Sequence, residues 1–187
     1  MAYEKLQARR ALTVIPDRAF DIPDPSSIVN YINDTTPVTY QESIVEQSGD
    51  FTVAGTLTGT AGTKYTEMNI KQGAIIYNTT AQKVYTVVSV TNDTTLSISP
   101  SSPNGANDTF YIFNQTTIGC TLFVGTAGNI RVHMATQKGV QSTEHSSELI
   151  TNFQNVADAS FLPIQVCRVT DLSTTASNIV ALWWLRS

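Results

Sequence analysis

Charged and reactive side chains are scarce in this sequence of 187 residues. Only 14% of the residues are charged, and 11 basic and 15 acidic side chains give a net charge of -4. These charges are scattered, so no basic stripe is present that could neutralise a row of phosphates. We therefore expect no nucleic-acid partner.

Long apolar runs are also missing. Nothing approaches the roughly 18 consecutive apolar residues that a membrane-spanning helix needs. Residues 1–10 are charged and are not followed by the apolar stretch of a secretory signal. We therefore expect no membrane association, and synthesis and folding in a cytoplasm.

The sequence contains few residues of the types that usually carry out catalysis or bind metal ions. His133 lies in a strand-like run and His145 in a polar stretch, which favours surface histidines over ligands. Cys120 and Cys167 each lie inside an apolar run and are not spaced as a metal or redox pair, which favours buried free thiols. No segment suggests paired catalytic carboxylates or a phosphate-binding loop. We expect no catalytic, cofactor or metal site.

Threonine and serine are abundant instead, at 27 and 16 residues, a composition that favours β-strands and turns over helices. Residues 1–10 are compatible with a short helix or a loose arm. Residues 11–25 contain three prolines and predict an extended strap along a sheet edge of its own subunit or of a neighbour. Asp17, Asp21 and Asp24 in this strap lack the glycine-centred loop of a cation site.

From residue 48 to residue 114, short β-branched runs alternate with turn residues, as in a small barrel or sandwich. The period-two pattern places Val84 and its alternate neighbours to Val90 on one face of a strand, and Tyr85 and Val87 on the other. The clearest predicted strands are 74–78, 83–90, 95–99 and 109–113.

After residue 119 the β pattern resumes. Residues 120–124 and 130–134 flank a Gly-Thr-Ala-Gly-Asn turn and predict a hairpin. Two further strands are predicted at 161–169 and 179–185. Phe123 and Phe161 lie in these strands, where core packing is the default and an interface anchor or a sugar-stacking platform is the alternative.

The final predicted strand, residues 179–185, is apolar on both faces. Ile179, Ala181, Trp183 and Leu185 alternate with Val180, Leu182 and Trp184, so one row can fill the core. We predict that Val180, Leu182 and Trp184 form a subunit interface. The alternative is that the inserted module covers this row within one subunit.

Three segments of this third region resemble the head-spike base or capsid-decoration proteins of tailed bacteriophages and gene-transfer agents. They are GCTLFVGTAGNIRV at 119–132, FLPIQVCRV at 161–169 and TTASNIVALW at 174–183. The strap at 13–25 is similar to the N-terminal strap of short family members, which run almost directly into the Val-Gly-Thr-Ala-Gly-Asn turn. Residues 137–152 depart from the short glycine-rich turn of that family.

The resemblance implies an all-β fold, with a jelly-roll-like β-sandwich formed by residues 1–34 and 117–187 and a β-rich barrel or sandwich module inserted at 35–116. It implies a structural, non-enzymatic protein on the outer capsid surface of a virion, assembled in the cytoplasm of a bacterial host. The implied partners are copies of the same protein, with a trimer favoured over a pentamer, the major capsid protein and a fibre protein.

Two alternatives stay open. A tail, neck or baseplate adaptor would use the same β architecture at another symmetry axis. A host-glycan-binding module would use exposed tyrosines in the insertion as stacking platforms, and Tyr65, Tyr77 and Tyr85 are the candidates.

Overall fold

The computed structural model describes residues 8–31, 46–101, 103–135 and 150–184, and these residues form β-strands joined by turns. The one helical element among them is a single 3-10 turn, Pro25–Ser27. The prediction of an all-β protein is confirmed. The strands are β1 Ala8–Thr13, β2 Gln47–Asp50, β3 Thr56–Gly59, β4 Ile75–Asn78, β5 Lys83–Asn92, β6 Thr95–Ser99, β7 Asp108–Phe113, β8 Cys120–Thr126, β9 Gly128–Met134, β10 Ile150–Val156, β11 Ser160–Val169 and β12 Ser177–Trp184.

The polypeptide divides into two compact units, and it passes from one to the other twice. The outer unit contains residues 1–25 and 116–187, and the barrel unit contains residues 26–115. Val29 is buried in the barrel core, and its amide donates to the carbonyl of Ile112 at 2.7 Å. Residues 26–31 therefore belong to the barrel unit and not to the predicted domain of residues 1–34 and 117–187.

The barrel unit is a closed antiparallel barrel in the order β2-β3-β6-β5-β4-β7, and β7 pairs with both β4 and β2 to close it. Closure leaves no open strand edge in the ladder. Three aromatic rings meet in its interior, where Phe51 stacks on Tyr85 at 5.2 Å and meets Phe110 edge-on at 5.6 Å. The buried interior residues are Val29, Phe51, Leu57, Tyr65, Met68, Ala74, Ile76, Tyr85, Val87, Leu96, Ile98, Phe110 and Ile112.

Strand β5 does not keep one alternation along its length. Tyr85 and Val87 face the interior, but the pairing with β6 shifts between Val87 and Ser89. Because a β-bulge adds a residue to one strand, the side chains after it change faces. Val90 consequently packs against the interior, and Val88 is exposed, so the prediction that the two share a face is wrong.

The outer unit is one hydrogen-bonded sheet in the order β1-β12-β8-β11-β9-β10. β11 pairs with β8 from Ser160 to Leu162 and, after a register shift, once more at Val166, where its pairing with β9 begins. Pro163 lies at this change and has no amide hydrogen to continue the first ladder. The predicted hairpin between residues 120–124 and 130–134 is therefore wrong, because β8 and β9 pair with other strands and not with each other.

The turn between β8 and β9 depends on a close backbone approach. A Cβ added at Gly128 would lie 2.4 Å from the backbone nitrogen of Ala176, and one at Gly125 would lie 2.8 Å from the Cβ of Asn178. The amides of Thr175 and Ala176 both donate to the carbonyl of Asn129. Glycine allows this approach because it has no side chain.

The core of the outer unit lies on one side of these strands. β12 contributes Ile179, Ala181 and Trp183, and the indole nitrogen of Trp183 donates to Thr117 Oγ1 at 3.0 Å. The buried members are Val14, Ile22, Cys120, Leu122, Val124, Ile130, Val132, Val156, Val166, Val169, Ala176, Ile179 and Ala181.

The proline-rich strap lies along β11 of its own subunit. The amides of Asp17 and Ile22 donate to the carbonyls of Val169 and Cys167 at 2.9 and 2.8 Å. Arg168, with a side chain only 12% exposed, pairs with Asp21 at 2.7 Å. The strap therefore lies in its own subunit, as predicted, but against β11, which is an inner strand of the sheet and not an edge strand.

Upstream of the strap, residues 8–10 are strand, so the predicted helix or loose arm is wrong for them. Residues 1–7 lie outside the described residues.

The separate cores predict that residues 26–115 fold as an isolated fragment. We expect the fragment to show one cooperative thermal transition when its unfolding is measured by far-ultraviolet circular dichroism. A fragment of residues 46–115 lacks Val29 and Tyr31 and should lose about 2 kcal/mol or more of its free energy of unfolding. If the longer fragment shows no cooperative transition, the barrel is not an independent unit.

Candidate assembly surface

A continuous row of side chains crosses the face of the outer-unit sheet that points away from its core. Thr13 of β1 lies opposite Val180 of β12, Val180 lies opposite Phe123 of β8, and Phe123 lies opposite Phe161 of β11. Side chains in directly opposed positions project from the same face of a sheet. We call this surface the outer face; its members are Ala11, Thr13, Thr121, Phe123, Phe161, Val180 and Leu182.

The aromatic end of the outer face is open to solvent. Phe161 is 57% exposed although it is a large apolar residue. Its ring lies 5.1 Å from that of Phe123, which is half-buried, as are Val180 and Leu182. An exposed apolar patch of contiguous side chains is typical of a surface that binds another protein.

The outer face carries no charge among its seven members. Burying a charge against a partner costs several kcal/mol unless that charge is paired. This face can therefore lose its water without that cost, as the core of a protein interface does.

Two of the three residues predicted for a subunit interface lie on the outer face. Val180 and Leu182 project from it, next to Ala11 and Thr13 of β1. Trp184 pairs with Ala8 through its backbone, and its side chain lies outside the described residues. That these residues contact a second subunit stays a prediction.

Phe123 and Phe161 are members of the outer face for which the sequence favoured core packing over an exposed role. Their place on the outer face follows from the register between β8 and β11, which is set by residues far apart in the sequence. The alternation of Phe123 with the buried Leu122 and Val124 was the available signal.

The tyrosines proposed as sugar-stacking platforms are inside the protein. Tyr65, Tyr77 and Tyr85 are 1%, 2% and 0% exposed. Burial raises the pKa of the Tyr65 and Tyr85 hydroxyls above the ordinary range. Stacking needs an open ring face, so the prediction of exposed stacking tyrosines is wrong.

The remaining reactive side chains are dispersed. His133 is half-buried in β9, and His145 lies outside the described residues. Within residues 8–31, 46–101, 103–135 and 150–184, no group of three or more His, Cys, Asp or Glu is placed to hold a metal ion. Asp21 and Asp24 of the strap instead face Arg168 and Arg10.

Both cysteines are free thiols, as predicted. Burial raises the pKa of Cys120 to about 12 and that of Cys167 to about 11. Their nucleophilic thiolate forms are therefore rare near neutral pH.

Comparisons with protein-family models, with curated proteins and with solved structures find no match for this protein. In the part of the sequence that the structure describes, no helix has the length and hydropathy needed to cross a membrane.

The raised thiol pKa values predict that the native protein resists alkylation at mildly alkaline pH. An increase of two pKa units lowers the thiolate fraction about a hundredfold, and burial adds steric protection. We expect the rate of alkylation, measured by mass spectrometry, to be at least about a hundredfold lower in the native protein than in the urea-unfolded protein at the same pH. Rapid labelling of both thiols in the native protein would contradict their burial.

Proposed function

We propose that this protein is a structural virion protein of a tailed bacteriophage that decorates or cements the outer capsid surface, or serves as the base of a head spike. The charge-free outer face carries the proposal. Residues 119–132, 161–169 and 174–183 resemble capsid-decoration and head-spike base proteins, which is why we propose a phage capsid as the particle. In this role the protein acts without catalysis, cofactor or metal.

The outer face supports self-association through its energetics. An aromatic side chain buries about 150–250 Å² in full, so covering the exposed part of Phe161 removes roughly 100 Å² from water. At about 25 cal/mol per Å², that contributes on the order of 2 kcal/mol per copy. Val180, Leu182 and Phe123 add to this where their half-exposed atoms are covered.

Charge favours the outer face over the rest of the surface as the place where copies meet. Every copy has a net charge of -4, so two copies repel each other on average. A surface without charged side chains avoids close like-charge pairs. A homo-oligomer follows, with a trimer favoured over a pentamer and Trp184 at the margin of the contact.

We further propose that the outer unit is a jelly-roll-like sandwich. β11 pairs with β8 between Ser160 and Val166, across a register shift, and with β9 between Val166 and Val169. A strand that leaves one partner and joins another at a bulge is how sandwich corners are built. The strap then lies beside the second half of β11, at Cys167 and Val169.

A decoration role suits a protein of this kind because a capsid repeats the same binding site many times. An oligomer can multiply weak individual contacts through effective concentration. The major capsid protein is the expected partner, and a fibre protein is a further one for a spike base.

Labelled particles test this function directly. We expect a gold-tagged copy of the protein to bind purified phage heads that lack their own copy, and to appear by electron microscopy at regular positions on the outer capsid surface. Labels confined to the tail or neck would favour the adaptor alternative, and the absence of label from all particles would overturn the virion assignment.

Replacing Phe161 with Asp tests the oligomer. Because Phe161 is exposed, the variant should keep its β circular dichroism but dissociate in native mass spectrometry at micromolar concentration, through the cost of burying an unpaired charge.

Leu172→Asp is the matched control for this substitution. Leu172 is 53% exposed in the same unit but is not a member of the outer face, so its variant should remain assembled. A wild-type protein that is monomeric under these conditions would refute the oligomer, and its mass otherwise distinguishes trimer from pentamer.

A further inference from the structure

Asn104 is the one asparagine in the sequence that is followed by glycine. In such a pair the backbone nitrogen of the glycine can attack the carbonyl carbon of the asparagine amide group. The new bond between nitrogen and carbon closes a five-membered imide, and the bond from that carbon to Nδ2 breaks to release ammonia, which takes the proton of the glycine amide. Water then opens either carbonyl of the imide, leaving aspartate or isoaspartate. Glycine favours the attack because no Cβ crowds its nitrogen or restricts its backbone.

The loop before β7 leaves this nitrogen available. Asn104 and Gly105 are half-buried, so water can reach them. Asn104 donates its backbone amide to Phe51, and Gly105 accepts from Phe51 through its carbonyl. Among the residues that the structure describes, none accepts a hydrogen bond from the Gly105 amide.

The side chain of Asn104 makes a hydrogen bond in which its amide group is the donor. Its Nδ2 donates to Asp108 Oδ2 at 2.9 Å, and Asn78 Nδ2 donates to the same oxygen at 2.8 Å. Asp108 is only 4% exposed. A carboxylate in place of the Asn104 amide would put two acceptor-only groups, both negative, at hydrogen-bond distance.

The same loop also holds the aromatic core. The amide of Asn104 donates to the Phe51 carbonyl at 2.7 Å, and the amide of Phe51 donates to the Gly105 carbonyl at 3.0 Å. Isoaspartate lengthens the backbone by one methylene between these two bonds. Phe51 stacks on Tyr85 and meets Phe110 edge-on, so a shift of this loop would disturb the packing of the aromatic rings in the barrel interior.

We infer that Asn104 is a site of spontaneous deamidation and that its conversion to aspartate or isoaspartate loosens the barrel unit. The co-reactant is water alone, and no enzyme is required.

The test ages the full-length protein at mildly alkaline pH and physiological temperature, and follows each asparagine by peptide mass spectrometry. Asn104 should convert before any other asparagine, with isoaspartate and aspartate as separately eluting products. The melting temperature of the aged protein should fall toward that of Asn104→Asp, which we expect about 5 °C or more below wild type.

Asn104→Ser separates lost hydrogen bonding from added charge, because it removes the amide without introducing a carboxylate. We expect Asn104→Asp to melt clearly below Asn104→Ser. The inference is overturned if another asparagine converts first, or if the Asp and Ser variants have the same melting temperature.

Discussion

The outer unit depends on the double pairing of β11. Val166 lies opposite Cys120 of β8 and also opposite Met134 of β9, and it is fully buried. β8 and β9 follow each other in sequence but do not pair, so β11 is what joins the two halves of the sheet. The strap adds to this centre, because Asp17 and Ile22 bond to the backbone of the same strand.

This arrangement decides which side chains are left outside. Once Ile179 and Ala181 of β12 and Leu122 and Val124 of β8 turn inward, the residues between them must turn outward. Phe123 and Val180 are therefore aligned in one row, and the pairing of β8 with β11 adds Phe161 to it. The outer face is thus a consequence of how the core is filled, and its lack of charge is what makes it suitable for contact with another protein.

The barrel unit has no unpaired strand edge in its ladder, because β7 pairs with both β2 and β4 and closes the barrel. Its interior combines stacked aromatic rings with a buried carboxylate, Asp108, that is satisfied by the amides of Asn78 and Asn104. Hydrogen bonds to a buried charged group are among the stronger ones, so this cluster fixes the loop that carries Asn104 and bonds to Phe51. The barrel core and the loop chemistry at Asn104 are consequently linked.

The sequence by itself determined the β class and the position of most strands, because β-branched alternation and turn residues act over a few neighbouring residues. It also identified the strap, since proline removes amide donors wherever it occurs, and it indicated that the cysteines are free thiols. These are local properties that each segment carries with it.

Only the tertiary structure decided the rest. The change of partner along β11, the bulge that separates Val88 from Val90, the assignment of residues 26–31 to the barrel and the burial of Tyr65, Tyr77 and Tyr85 all depend on contacts between distant residues. A period-two pattern specifies that two faces exist, but not which neighbours a strand will have or which face they will cover. For that reason the pair Phe123 and Phe161 became visible as one surface only when the register of β8 against β11 was known.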